Sequence, residues 1–171
     1  LFDMPWGGSV TLCSMLPVIL ISYRYGVKWG LFSGFVFSIL QLLTGLSGLK
    51  GLTGPAVVGS ILLDYLLAFT VLGIGGLFRN KIKHPGTALA LGSVVAIFGR
   101  YLCSFASGFI LWGSFAKETL ESFGDGVASW VLDHFSGFAL SVVYSALYNA
   151  TYIVPEMILT VIVCFILGAV P

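Results

Sequence analysis

The sequence predicts an all-α fold: a polytopic membrane helix bundle forming one domain over residues 1–171. Three observations predict it. Of the residues, 58% are hydrophobic and 9% charged, whereas a soluble domain carries about 25% charged residues. The apolar residues fall into long runs, and about 20 in succession suffice to cross a bilayer. Many of the 22 glycines lie inside those runs. In a soluble helix each would cost about 1 kcal/mol, but between membrane helices small residues permit close approach.

Five runs predict five helices. The first, from Ser9 to Tyr23, is short for a crossing. The second covers Val27 to Leu43, the third Pro55 to Phe78, and the fourth Thr87 to Trp112. The fifth, Gly137 to Leu167, contains Pro155, which should kink it and free the carbonyl four residues back. Gly30/Gly34, Gly73/Gly76 and Gly92/Gly99 mark surfaces of close packing. No internal repeat is evident, so an inverted-repeat transporter is not supported.

The charges orient the bundle. Arg24 and Lys28 flank the first turn, and Arg79, Lys81 and Lys83 lie between the third and fourth runs, without an acid among them. By the positive-inside rule these loops face the cytoplasm. The loops holding Lys50, and Lys117, Glu118, Glu121, Asp125 and Asp133, then face outward, as does the stub Leu1–Gly8. A native N-terminus on the inside would require a helix upstream of Leu1. The outer segment Gly113–Ser136 also carries Phe123 and Trp130; it reads equally as a lid or as a solvated connector on the bilayer.

Other classes are excluded. A net charge of +1 offers no basic face for nucleic acid. Cys13, Cys103 and Cys164 lie apart in apolar segments, so neither a disulfide framework nor a zinc site is indicated. The stretch Gly45–Lys50 lacks the Gly-Lys-Ser/Thr ending of a phosphate loop, and no HExxH or GxSxG motif is present. A chain of this kind moves solute passively, with an ion, or with a partner ATPase.

Polar groups deep in apolar runs are costly and mark function. Asp64, followed by Tyr65, lies about 15 Å from the outer end of the third run. Arg100 and Ser104 are one turn apart in the fourth, and Ser107, Gly108 and Trp112 continue that side outward. The fifth run carries Tyr144, Tyr148, Asn149, Tyr152 and Glu156, of which Asn149, Tyr152 and Glu156 share a face. A carboxylate, an amide and several rings at one depth suit a small, planar, cationic, nitrogen-rich ligand. Each group also has a plain structural alternative. Asp64 and Arg100 equally suit an internal ion pair. Tyr144, Tyr148 and Trp112 suit an interfacial belt, and Ser104 can bond back to its own helix. Glu156 lies past the cavity, in a structural or partner-facing position. His84 and His134 fit solvated loops.

Several stretches, in this order and spacing, carry a resemblance: Gly7 to Leu12 with Met15-Leu16-Pro17; Tyr23-Arg24-Tyr25-Gly26-Val27-Lys28-Trp29-Gly30; Leu63-Asp64-Tyr65; Gly73 to Arg79; Gly108 to Trp112; Tyr144 through Asn149; and Tyr152 with Pro155-Glu156. The chain resembles the thiamine-specific substrate-binding S components of energy-coupling factor transporters over almost its whole length. The family has six helices, so the resemblance implies that the first is missing here and five remain. It implies an integral protein of a prokaryotic plasma membrane that takes thiamine from outside, without catalytic activity or cofactor. Its implied partners are a membrane coupling subunit and two cytosolic ATPases, and it would topple in the bilayer to release the vitamin.

The resemblance also implies roles. Asp64 and Tyr65 match a carboxylate–Tyr pair that meets the aminopyrimidine. Trp112 matches a pocket Trp, and Tyr144 and Asn149 match a Tyr and Asn five apart, with Tyr148 between them. Arg100 matches a basic position, but Ser104 stands where some members have His. The loop Leu46–Thr53 differs in length and offers no Tyr. The remaining alternatives are an S component for riboflavin or for a precursor such as hydroxymethylpyrimidine, and a non-transport structural membrane protein.

Overall fold

The computed structural model describes residues 2–3, 9–10, 13–46, 52, 54–124 and 126–169. Most of the stub Leu1–Gly8, the Gly7–Leu12 stretch apart from Ser9 and Val10, Lys50, most of the Leu46–Thr53 loop, and Asp125 lie outside the described residues. A two-residue antiparallel ladder pairs β1 (Phe2–Asp3) with β2 (Ser9–Val10). All the larger described elements are helical.

The first helix, α1 (Leu16–Tyr25), has ten residues, about 15 Å of rise, and is too short to cross a bilayer. This corrects the expectation of a helix from Ser9: Ser9 and Val10 are extended, and Pro17 in the first turn fits a helix start, where its missing N–H leaves no bond unmade. Gly26 ends α1 with φ 100°, its N–H bonded to the Ser22 carbonyl (2.9 Å), and α2 (Val27–Gly45) follows at once.

The third run folds as one span, α3 (Pro55–Gly76), with changing pitch. It is α-helical over Pro55–Ser60, π-helical over Ile61–Leu67, α-helical over Ala68–Thr70 and 3-10 over Val71–Gly76. Buried Ser22 of α1 serves the 3-10 end: its hydroxyl donates to the Gly73 carbonyl (2.5 Å) and accepts from the Gly76 N–H (2.8 Å). Next, α4 (Pro85–Ile110) starts at His84, whose Nδ1 accepts the Thr87 N–H. After a 3-10 turn at Gly113–Phe115 come α5 (Ala116–Phe123) and α6 (Gly126–His134), then α7 (Gly137–Ala169). The α7 helix continues through Pro155.

Four helices, α2, α3, α4 and α7, are long and apolar enough to span a membrane. Trp29, Phe32 and Leu43 of α2, and Ile162 and Ile166 of α7, lie exposed on the bundle's outside, as lipid-facing side chains do. The central core joins Met15 and Ile19 of α1, Phe69 and Leu72 of α3, Leu89 and Ile97 of α4, and Ile153 of α7.

The glycines stand where helices touch. A Cβ on Gly92 would strike the Gly75 carbonyl, and one on Gly30 the Gly73 carbonyl and Ser22. Gly34 abuts the carbonyls of Phe69 and Thr70, and Gly99 abuts Val71. Thus α1, α2 and α4 all close tightly on the second half of α3.

Helices α5 and α6 pack on α7 rather than lying as a bare connector. Leu120 of α5 and Ala128 and Val131 of α6 form a second core with Leu140 and Tyr144 of α7. Their charged faces, with Lys117 and Glu121 3.8 Å apart, stay exposed. The pair caps the N-terminal end of α7.

Candidate functional site

Asp64 lies within the π-helical stretch of α3, a distortion often found at functional sites. Its Oδ2 accepts hydrogen bonds from Ser60, one turn back, and from Ser107 of α4, each at 2.6 Å. The Trp112 indole, two residues past the end of α4, is a third polar neighbour of this carboxylate. Two hydroxyls satisfy the acid without neutralising it. Tyr65, beside it, turns the other way and donates to the Gly45 carbonyl at the end of α2 (2.8 Å).

Across α4, Asn149 of α7 is buried. Its Nδ2 donates to the Ser145 carbonyl (2.9 Å) and the Ser104 carbonyl (3.3 Å). Its Oδ1 accepts the Tyr152 hydroxyl (2.6 Å). Ser145 fastens the same helices by donating to the Phe105 carbonyl (2.7 Å). Gly108 is required here, since a Cβ would meet the Ser145 hydroxyl. The Ser104–Ser107–Gly108 side of α4 is therefore a shared wall, with Asp64 on its α3 flank and Asn149 on its α7 flank. Tyr148 and Tyr152 both lie within electrostatic reach of Asp64.

The aromatic residues form a ladder on α7. Tyr144 and Tyr148 have ring centroids 5.6 Å apart, and Tyr148 and Tyr152 6.1 Å. Tyr144 is buried beneath the α5–α6 cap, which corrects the belt alternative for that residue. Trp112 packs on Phe115, 6.0 Å between rings.

Arg100 belongs to a second polar group one turn deeper. The expected alternative of an Asp64–Arg100 ion pair is not what forms. Arg100 Nη1 lies 3.8 Å from Glu156 Oε2 and 2.9 Å from Met15 Sδ, and the guanidinium sits 4.5 Å from the centre of the Phe69 ring. Ser14 donates to Glu156 Oε1 (2.9 Å). Glu156 is 1% exposed, which fits the structural rather than the partner-facing of its two expected positions. The Glu156 spacing on α7 and the Arg100 spacing on α4 place both toward α1, which the run lengths alone do not reveal.

In the structure Trp112 and Tyr148 lie near Asp64, Ser104 and Asn149 meet at the α4–α7 contact, Tyr144 sits under the α5–α6 cap, Tyr65 bonds the end of α2 and Arg100 joins Glu156. The sequence reading expects all of them at one depth. It missed Ser60, Ser107 and Ser145 as partners. The signal was available: Ser60 is four residues before Asp64, Ser107 three after Ser104, and Ser145 four before Asn149. A separate cavity of about 390 Å³, lined by Phe109, Gly113, Ser114, Lys117, Gly137, Leu140 and Ser141, includes none of the expected site residues. Among the described residues, no three His, Cys, Asp or Glu side chains converge as a metal site.

Fold and site together define a membrane helix bundle with a part-buried carboxylate held by two hydroxyls, a buried amide, and a ladder of phenols beside the α5–α6 cap. Residues 1–124 match the family described as Thiamine transporter protein (Thia_YuaJ). The chain is 34% identical to Thiamine transporter ThiT of Bacillus subtilis (strain 168) over 96% of its own length and 77% of that protein's. It is 29% identical to Thiamine transporter ThiT of Lacticaseibacillus paracasei, over 61% of its length and 55% of that protein's. The chain belongs to this thiamine transporter family.

Proposed function

We propose that this chain is the thiamine-capturing subunit of an energy-coupling factor transporter in a bacterial plasma membrane, taking the vitamin from the outer side. Family membership supports the ligand. The single observation that carries the site is Asp64, held by the hydroxyls of Ser60 and Ser107 rather than by a cation. A carboxylate in this setting can accept from an amino or ring N–H of the pyrimidine and attract the positive thiazolium. Asn149 offers the complementary amide, and Trp112, Tyr144 and Tyr148 offer ring faces to a flat cation. In this proposal Tyr65 fixes the end of α2 beside the pocket, Ser104 and Arg100 build its floor, and the α5–α6 cap closes it. The chain performs no chemistry of its own; a membrane coupling subunit and two cytosolic ATPases supply the energy for release inward.

The test is binding of radiolabelled thiamine to bacterial membranes containing the expressed chain. The proposal expects saturable binding, displaced by unlabelled thiamine but not by riboflavin or hydroxymethylpyrimidine at equal concentration. Displacement by riboflavin alone would reassign the ligand, and no saturable binding by the folded chain would end the proposal.

A further inference from the structure

Away from their ends, the four described spans carry three charged side chains: Asp64 on α3, Arg100 on α4 and Glu156 on α7. Two acids and one base leave one negative charge inside an apolar bundle. Arg100 is 11% exposed and Glu156 2% by side chain, and they pair with each other. Arg100 is also held by Met15 and the face of Phe69, and Glu156 by Ser14. The negative charge left over therefore resides on Asp64, which has hydroxyl partners. Tyr152, bonded to Asn149, lies within electrostatic reach of both Arg100 and Asp64. Even a partly buried charge without a counter-charge is costly, and a positive ligand would reduce that cost.

We propose that Glu156, although outside the Asp64 cluster, is a specificity-determining residue. By neutralising Arg100 it leaves the compartment with one negative charge in excess, so that the site favours a monovalent organic cation over the same molecule carrying a phosphate. Without Glu156 the guanidinium would stand as an uncompensated positive charge beneath the pocket and would cancel Asp64. The net attraction for a cation would vanish, and a phosphate would find a partner in Arg100. This inference rests on the thiamine reading above.

The experiment measures tryptophan quenching of the purified chain in detergent by thiamine and by thiamine monophosphate. It compares wild type, Glu156→Gln, Glu156→Asp, and the double variant Arg100→Gln/Glu156→Gln. Wild type should favour thiamine. Glu156→Gln should narrow the ratio of the two dissociation constants by about tenfold or more, equivalent to roughly 1.4 kcal/mol. Glu156→Asp should retain the preference. The double variant, whose compartment again holds only the Asp64 charge, should return the ratio toward that of wild type even where both affinities fall. If Glu156→Gln proves unfoldable because it leaves a buried guanidinium unpaired, the double variant carries the test, and loss of its preference overturns the proposal. Equal weakening of both ligands by Glu156→Gln would make Glu156 merely structural and also overturn it. Failure of the wild type to bind thiamine would overturn the underlying functional reading, which is a separate result.

Discussion

Ser107 of α4 donates a 2.6 Å hydrogen bond to the carboxylate of Asp64 on α3, so the acid is anchored across a helix interface by a neutral partner. That bond joins packing to function: it fixes where the carboxylate sits, and it ties α3 to the same side of α4 that holds Asn149. The predictions below follow from this arrangement.

Asp64→Asn should weaken thiamine binding by roughly tenfold to a hundredfold, the range for losing a charge-assisted hydrogen bond. The amide oxygen can still accept from Ser60 and Ser107, so the melting temperature should change little. Equilibrium titration beside a thermal melt separates the two effects. Unchanged affinity with a lowered melting temperature would mean that Asp64 is structural only.

Ser107→Ala should weaken binding by about fivefold, as expected for one hydrogen bond of about 1 kcal/mol. Ser60 remains to hold Oδ2, so the loss should be smaller than for Asp64→Asn. An effect larger than that of Asp64→Asn would contradict the ranking.

Tyr152→Phe removes the donor to Asn149 Oδ1 and leaves a buried acceptor unpaired. It should cost about 1–3 kcal/mol of stability, read as a lowered melting temperature. A melting temperature equal to that of wild type would show that Asn149 finds another donor.

Gly92→Ala would drive a methyl group into the Gly75 carbonyl, a backbone atom that cannot swing aside. Overpacking of this kind costs about 1–3 kcal/mol. By contrast, Gly126→Ala meets open space and should be nearly neutral. Thermal melts of the two variants check the difference; equal stability would mean that α3 and α4 can separate at no cost.

Leu120→Ala empties a fully buried position between the α5–α6 cap and α7. The cavity should cost about 2–5 kcal/mol, concentrated in the docking of the cap. Amides of residues 116–134 should exchange faster with deuterium while those of α4 keep their protection. Uniform acceleration throughout the chain would show that the cap is not a separate unit.

Much of the fold was legible because span length and hydropathy are local properties. Val27, Pro55 and Gly137 are expected and observed helix starts, and the glycines inside the runs do mark contacts. The first run failed because apolar character from Ser9 to Tyr23 does not distinguish extended chain from helix, whereas Pro17 near the start of α1 does. The changes of pitch in α3 were invisible, since a π turn depends on where Ser60, Asp64 and Ser107 are pulled together in three dimensions. In the site, depth reasoning expects Asp64, Trp112, Tyr144 and Asn149 at one level; the structure sets Trp112 beside Asp64 and Tyr144 under the α5–α6 cap. The structural alternative of an Asp64–Arg100 ion pair fails because the register of α7 against α4, with Gly108 on Ser145, brings Glu156 rather than Asp64 to the guanidinium.

The most direct test is calorimetric titration of thiamine into the purified chain and into its Asp64→Asn variant, at matched folding. The account predicts saturable one-to-one binding to wild type, and binding at least about tenfold weaker to the variant. Equal affinity for both would contradict it.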